Sequence, residues 1–367
     1  MKKRIEYIDA LRGFAILGVI VCHVSTITRC PGLLGKVADL GAFGVQLFFV
    51  ISAFTIFLTF GKSLGREQAP VRNFFIRRIF RIAPVYWLGI VLYASVYGNQ
   101  TRGWTPGPDY WHYPLHVFLV NLVHPLTPSS VVPGGWSISC EMLFYLTVPL
   151  WFACIRSLKS AAVFVVLSSV LCPLAVHFLK ALAAPHMTSY PQGLVDQFFY
   201  RNILNQLPCF ACGILLYYLT VGREKAVEMR TCLALFAAAA IGVVAGILVP
   251  TSLGINHIVT SFGFVALAVA LSSLPLSLLV NKATIFVGKI SYSAYLVHFL
   301  VLEKMTAWTG WSFAVVLALA LPITLGLAWL SYRFIELPCS NLGRRWIDRL
   351  ESGATAPGAL APDSPLP

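Results

Sequence analysis

A few ionisable side chains lie inside otherwise apolar stretches of this sequence, and their types and spacing suit acid–base chemistry and anion binding. Arg12 and His23 occur in the segment YIDALRGFAILGVIVCHV, 11 positions apart. An α-helix covers that spacing in close to three turns, so both side chains lie on one face, about 16 Å apart along the axis. Asp9 is one turn before Arg12 and can pair with it. We predict a membrane helix with a cation near its cytoplasmic end and an imidazole in its outer half.

Both residues also have a purely structural interpretation. An arginine near the end of a membrane helix can extend its charge to the lipid headgroups, and a histidine within a span can serve packing alone. Ionisable side chains within membrane spans are costly and for that reason usually mark functional sites. The functional interpretation of Arg12 and His23 is therefore the favoured one.

A cluster of arginines precedes a later apolar stretch, in RNFFIRRIFRIAPVYW. Arg78 and Arg81 are three residues apart and share a helical face, so their guanidinium groups could clamp phosphates through paired hydrogen bonds. The alternative is the general excess of basic residues in cytoplasmic loops. The cluster alone does not separate the two interpretations.

Glu141 and His298 are predicted to lie at the depth of His23. Helix rise places Glu141 about 7 Å below the outer surface, and His23 and His298 about 22 Å and 21 Å above the inner one. In a hydrocarbon core of about 30 Å these depths coincide. A carboxylate can orient a catalytic histidine or share its proton, so we predict Glu141 as the partner of His23 and His298 as a supporting residue. The alternative for Glu141 is a structural carboxylate held by a nearby serine.

The surrounding sequence is that of an all-α polytopic membrane protein. Hydrophobic residues make up 58% of the 367 positions and charged residues 11%, against about 25% charged in soluble domains. The net charge of +13 fits basic cytoplasmic loops, so no nucleic-acid partner is predicted. No metal site is predicted either. Ten apolar segments are long enough to cross a bilayer: 8–28, 40–60, 76–97, 136–155, 160–182, 201–221, 231–249, 256–274, 284–306 and 311–334.

The pattern of basic residues predicts on which side of the membrane each loop lies. An eleventh candidate, 113–126, is short; if it does not cross, all later basic loops fall on the side of the basic N-terminus. We therefore predict a bundle of about ten spans in the cell membrane with both termini cytoplasmic, and a long outer loop, or re-entrant segment, over 98–135. Residues 1–340 form one membrane domain, and 341–367 a basic and then disordered Pro/Ala-rich cytoplasmic tail.

Six segments of the chain resemble the successive blocks of the acyltransferase 3 family of integral-membrane O-acyltransferases. They occur in the family's order and cover residues 5 to about 340. The segments are YIDALRGFAILGVIVCHV, FGVQLFFVISAFTI, FFIRRIFRIAPVYW, WSISCEMLFYLTVPL, ISYSAYLVHFLVL and YRFIELP. Two positions depart from the family's usual pattern: Ala53 stands where glycine is common, and Leu337 where arginine often occurs.

The resemblance implies transfer of an acyl group, usually acetyl from acetyl-CoA, onto a hydroxyl of a sugar, glycan or metabolite. Acyl-CoA is then a co-substrate, with no permanently bound cofactor. The family's arginine–histidine signature falls on Arg12 and His23, and its donor-associated arginines are Arg78 and Arg81. Its tryptophan–serine–glutamate block falls on Trp136, Ser137 and Glu141. On this basis His23 is the expected general base; a two-step route through an acyl-histidine stays open.

A rival function is a proton-coupled exporter or flippase of a glycan or small molecule. His23, Glu141 and His298 would then form a proton relay through the membrane. The cluster of cytoplasmic arginines favours the enzyme, because a relay has no use for a phosphate clamp. The acceptor, the length of the acyl chain and the oligomeric state are not readable from the sequence.

Overall fold

The computed structural model describes residues 3–101, 107–222, 227–250, 254–306 and 310–354, and within these ranges the regular structure is helical, with no β-strand. The helices, in chain order, are α1 Lys3–Thr28, α2 Gly32–Asp39, α3 Gly44–Leu64, α4 Pro70–Tyr97, α5 His112–Val117, α6 Gly135–Cys154, α7 Leu158–Ala183, α8 Gln192–Arg201, α9 Ile203–Thr220, α10 Met229–Leu248, α11 Asn256–Ser273, α12 Lys282–Lys289, α13 Ser291–Thr306, α14 Phe313–Ser331 and α15 Leu337–Ala354. A π-helical turn, Tyr332–Glu336, joins the last two.

The predicted spans correspond to helices of this bundle. Within the described residues, nine helical segments are long and apolar enough to cross a membrane. The predicted span at 284–306 is instead a bent pair, α12 and α13, which meet at an angle of 75°. Counting that pair as one span gives ten. The chain is thus an all-helical, multi-pass membrane protein.

The segment 113–126 does not form a membrane-crossing helix. It contains only the six-residue α5, and the chain then continues in turns to Gly134. His116 is buried in this loop, bonded to the Tyr86 hydroxyl at 2.8 Å and to the Thr127 carbonyl at 2.9 Å. Burial lowers the pKa of His112 and of His124, so both imidazoles are neutral at pH 7. His112 and His124 therefore add little positive charge to this end of the bundle.

Helix α1 lies in the core of the bundle and packs against α3 and α12. Its apolar side chains Leu11, Ile16 and Ile20 are fully buried. The approach to α12 is close because a glycine stands at the contact. A Cβ atom on Gly288 would lie 1.7 Å from the carbonyl oxygen of Asp9. This close contact fixes the start of α1, which carries Asp9 and Arg12, against the broken span.

Helix α15 is tied to α4 at the end of the bundle that carries the N-terminus of α4. The Glu351 carboxylate accepts hydrogen bonds from the backbone amide of Gln68 at 2.8 Å and from Asn73 at 2.9 Å. It also lies 3.4 Å from Arg72. The first part of the predicted tail is therefore helical up to Ala354. The predicted disordered part, from 355 onward, lies outside the described residues.

Candidate active site

Two adjoining cavities hold most of the residues singled out from the sequence. The first, which we name the arginine cavity, has a volume of about 80 Å³. The second, the histidine cavity, has a volume of about 540 Å³. Val45 and Tyr295 line both cavities. Besides Tyr295, the polar lining of the arginine cavity consists of Arg12, Ser52, Thr55, Arg78, Arg81, Ser137, Glu141, Tyr145, Ser291 and Tyr292. That of the histidine cavity includes His23, Gln46, Gln197, Tyr200, Arg201 and Glu303.

Helix α1 contributes one predicted residue to each cavity. Arg12 lines the arginine cavity, and His23 lines the histidine cavity further along the same helix. The Arg12 guanidinium donates to the Thr55 hydroxyl at 3.1 Å and lies 3.5 Å from the Asp9 carboxylate. The predicted pairing of Asp9 with Arg12 is thus confirmed. Because the two cavities follow one another along α1, a molecule that spans both would have its ends at Arg12 and His23.

Arg78 is a buried cation without a carboxylate partner among the described residues. Its side chain is 8% exposed, and its Nε has no hydrogen-bond partner in the described ranges. The guanidinium carbon lies 5.5 Å from the ring centres of both Phe74 and Tyr145, and one terminal nitrogen is 3.5 Å from the Thr59 hydroxyl. A buried charge is costly unless paired. This guanidinium is therefore poised for an anion that enters the arginine cavity.

Arg81 has a carboxylate neighbour that sequence reasoning missed. Its Nε lies 4.0 Å from the Glu336 carboxylate, which is nearly buried and accepts a hydrogen bond from Ser293 at 2.9 Å. Glu336 is the last residue of the π-helical turn, and such turns often mark functional sites. The residue stands in the quoted segment YRFIELP, so the signal in the sequence was a lone acid beside an apolar span.

Glu141 lies on the side of the arginines and not beside His23. Its carboxylate accepts a hydrogen bond from Ser52, whose hydroxyl is also 3.0 Å from the Tyr145 hydroxyl. Among the described residues, no hydrogen bond or ion pair joins Glu141 to His23. The predicted contact between them is therefore absent. The reason is that helix rise fixes depth alone; α6 turns Glu141 towards α3, into the other cavity.

The contacts of His23 define which of its ring nitrogens can act as a base. Nδ1 lies 2.8 Å from the Val19 carbonyl oxygen, one turn back on α1. A carbonyl only accepts, so Nδ1 carries the hydrogen and Nε2 of the neutral ring keeps its lone pair. The ring packs against Phe299 at 4.5 Å and His298 at 5.2 Å between centres. The backbone thus fixes the tautomer that a general base needs.

His298 supports His23 by packing and repeats its hydrogen-bond pattern. It is fully buried, and its Nδ1 lies 2.6 Å from the Tyr295 carbonyl oxygen. Its Nε2 has no hydrogen-bond partner within the part of the chain that the structure describes. Since the ring contacts both His23 and Phe299, it holds the catalytic candidate in place on the side of α13.

The start of α6 brings Trp136 and Ser137 to the boundary between the cavities. Trp136 lines the histidine cavity, with the Arg201 guanidinium 5.6 Å from its ring centre. Ser137 lines the arginine cavity and lies 2.9 Å from the Tyr295 hydroxyl. Arg201 and Tyr295 were not among the predicted site residues. Arg201 had a signal, as a cation at the edge of a span, whereas Tyr295 looks like any other tyrosine of an apolar helix.

Gly134 makes this boundary sensitive to substitution. Its backbone has φ +75°, and a Cβ atom there would lie 2.8 Å from the Tyr295 hydroxyl oxygen. We expect Gly134→Ala to cost about 1–2 kcal/mol of stability through the left-handed backbone and to displace Tyr295 as well. Gly222→Ala is the matched control, because Gly222 has φ +84° with nothing within 4 Å of its Cβ position.

Thermal unfolding in detergent and acyl-transfer rate distinguish the two effects of that substitution. Both variants should unfold at a lower temperature, and Gly134→Ala alone should lose activity. Equal activity in the two variants would mean that the Tyr295 position has no bearing on the reaction.

Comparisons with known proteins show the family to which the chain belongs. The acyltransferase domain family matches residues 5–333. The chain is 23% identical to the "Acyltransferase MdmB" of Streptomyces mycarofaciens, over 99% of this chain and 97% of that protein. It is 24% identical to the "Putative acetyltransferase ORF330" of Acidianus two-tailed virus, over 85% of this chain and 88% of that protein.

A third relative matches part of the chain. The "Putative peptidoglycan O-acetyltransferase YrhL" of Bacillus subtilis is 25% identical over 39% of this chain and 23% of that protein. No solved structure matches the chain. The family match, which covers nearly the whole sequence, identifies the chain as a membrane-embedded member of the acyltransferase 3 family.

Proposed function

We propose that this acyltransferase moves an acyl group, most simply acetyl, from acyl-CoA on the cytoplasmic side to a hydroxyl of a carbohydrate or related acceptor. The observation that carries the proposal is the succession of the two cavities along α1. One collects three guanidinium groups, and the next contains an imidazole with a free lone pair on Nε2. An anionic donor and a hydroxylic acceptor are the two reactants that such a pair of cavities would separate.

The donor is held at the arginine cavity in this proposal. Arg12, Arg78 and Arg81 supply charge-assisted hydrogen bonds of the kind that phosphates receive from arginine. At about 80 Å³ the cavity is smaller than the roughly 300–1,000 Å³ of a full ligand pocket. It would therefore admit a phosphate or the slender pantetheine chain, while the nucleotide stays at the cytoplasmic mouth.

The chemical step is assigned to His23. Its Nε2 takes the proton of the acceptor hydroxyl while the hydroxyl oxygen attacks the thioester carbonyl carbon. The tetrahedral intermediate then collapses, the carbon–sulfur bond breaks, and the CoA thiolate takes up the proton from the imidazolium. The products are the O-acylated acceptor and free CoA.

Glu141 acts in this proposal through charge and not through contact with His23. Bonded to Ser52 beside the arginines, it balances part of their charge when no donor is present. At longer range it also stabilises the imidazolium that forms on His23 during the reaction. Ser137 and Trp136 complete the wall between the donor and acceptor sides.

The acceptor is proposed to enter the histidine cavity, whose volume of about 540 Å³ falls within the usual size of ligand sites, roughly 300–1,000 Å³. Its lining offers amide, hydroxyl and charged groups together with Trp136, and sugars are bound by such mixed polar and aromatic surfaces. The name of the Bacillus subtilis relative refers to O-acetylation of peptidoglycan, a glycan acceptor. We place the enzyme in the cell membrane with both termini in the cytoplasm.

Binding of radiolabelled acetyl-CoA to the purified chain tests the donor half of the proposal. We expect saturable binding that unlabelled CoA displaces. Mass spectrometry of glycans and small metabolites from cells with and without the gene tests the acceptor half, and one species should differ by an acetyl mass. A protein that shows neither binding nor such a difference would not be an acyl-CoA-dependent O-acetyltransferase.

A further inference from the structure

The two cavities meet at a boundary whose polar group is the hydroxyl of Tyr295. Val45 and Tyr295 are the residues that line both cavities. Around the start of α6, neighbouring residues line different cavities. Gly134 and Trp136 line the histidine cavity, whereas Ser137 lines the arginine cavity. A thioester that reaches from the arginines towards His23 must pass its carbonyl group through this boundary.

The hydroxyls of Tyr295 and Ser137 and the carbonyl of Gly134 form a hydrogen-bonded triangle with two donor hydrogens and one carbonyl acceptor. The Tyr295 hydroxyl lies 2.9 Å from the Ser137 hydroxyl and 3.1 Å from the Gly134 carbonyl oxygen, and Ser137 is also 3.1 Å from that carbonyl. Two hydroxyl hydrogens thus serve a single carbonyl. Either hydroxyl can keep Gly134 satisfied while the other turns its hydrogen to an incoming oxygen, so no buried group is left unpaired.

The surroundings of this triangle favour negative charge. It lies at the first turn of the 20-residue helix α6, where the helix dipole gives a positive end. Ser137 and Tyr295 are also buried, so a charge that develops there is little screened by water. In an acyl transfer, the oxygen that becomes negative is the carbonyl oxygen of the thioester.

The triangle is also next to the proposed base. The ring of Tyr295 lies 5.6 Å from that of His298, which in turn lies 5.2 Å from that of His23. Tyr295 and His23 face the same cavity. An acyl carbon at the boundary would therefore have a base on one side and a hydroxyl donor on the other.

We propose that the Tyr295 hydroxyl, backed by Ser137, donates the hydrogen bond that stabilises the thioester oxyanion at the boundary between the cavities. The inference rests on the proposed function. As the acceptor oxygen bonds to the carbonyl carbon and its proton passes to His23, the carbonyl electron pair moves onto oxygen and is held by Tyr295. When the carbon–sulfur bond breaks, the pair returns to the carbonyl and the Tyr295 hydroxyl turns back to Gly134.

Tyr295→Phe tests this role, with Tyr93→Phe as the matched control. Tyr93 of α4 is buried and donates to the Leu296 carbonyl of α13 at 3.0 Å, but lines neither cavity. The assay uses chain reconstituted in membrane discs, acetyl-CoA, and a membrane extract of the source cells as acceptor, and follows label transfer and CoA release. Removal of one oxyanion donor costs about 100- to 1,000-fold in kcat. Because the Ser137 hydroxyl remains, we expect Tyr295→Phe to lower kcat by about 10- to 100-fold and to leave the KM for acetyl-CoA unchanged.

Ser137→Ala should lower kcat less, because Tyr295 can still donate, and Tyr93→Phe should be close to the unmodified chain. Full kcat in Tyr295→Phe, or a loss that appears only in KM, would overturn the oxyanion role. His23→Ala in the same assay distinguishes a failure of the Tyr295 role from a failure of the proposed acyl transfer. Full activity of Tyr295→Phe beside an inactive His23→Ala refutes only the inference, whereas no transfer by the unmodified chain refutes the proposed function as well.

Discussion

Replacement of His23 by alanine is expected to lower kcat by about 100- to 10,000-fold, the contribution of a positioned general base. The substitution removes the lone pair that Nε2 presents, whereas the arginine cavity is untouched. The KM for acetyl-CoA should therefore change little. Rates of label transfer from acetyl-CoA, measured on reconstituted protein, give both quantities.

His257→Ala is the control for that experiment. His257 is another buried histidine bonded to a carbonyl, that of Asn205 at 2.8 Å, but it lies on α11 and lines neither cavity. Its loss should affect stability and leave kcat nearly intact. An His23→Ala variant that folds and retains the rate of the unmodified chain would exclude His23 as the base.

The double substitution Arg78→Ala with Arg81→Ala is expected to weaken the binding of the acyl donor, by a factor comparable to the loss of kcat in His23→Ala. Hydrogen bonds to charged groups contribute about 1.5–3 kcal/mol each, so the loss of both should raise the KM for acetyl-CoA by about 100- to 10,000-fold. At saturating donor the turnover should change much less. Titration of rate against acetyl-CoA concentration measures the effect.

The same helix offers a control with the same change of charge. Arg72 and Arg77 also lie on α4 but pair with Glu351 at 3.4 Å and Glu67 at 2.8 Å, away from the cavity. If Arg72→Ala with Arg77→Ala raises KM as much, the effect comes from net charge and not from a clamp. An unchanged KM in the Arg78 and Arg81 variant would rule out the proposed donor site.

The membrane class and the spans were readable from the sequence because each span needs about 20 apolar residues and basic loops mark one side. The break between α12 and α13 was not, since both halves are apolar and α12 packs closely against α1, a segment remote in the sequence. Close backbone contact at Gly288 is a property of two helices together, and one sequence segment does not reveal its neighbour.

Residues that line the cavities could be predicted from the sequence, but the direction in which Glu141 points could not. Helical spacing placed Arg12 and His23 on one face and at different levels, and these residues do line successive cavities. The same arithmetic put Glu141 level with His23 and missed that α6 points it towards Ser52. Tyr295 and Glu336 were missed because their roles depend on partners from α6 and α4, which are far away in the sequence.

The boundary formed by Val45 and Tyr295 bears on the ion gradients across the membrane. An open passage between the cavities would let protons and small ions run down the membrane potential, at about 2.3 kcal/mol per charge and 100 mV. In the proposed reaction Val45 and Tyr295, which line both cavities, would have to let an acyl group of a few atoms pass and still exclude a continuous column of water. In the proposed reaction the cell therefore modifies a molecule on the far side of its membrane without exporting the activated donor and without discharging its ion gradients.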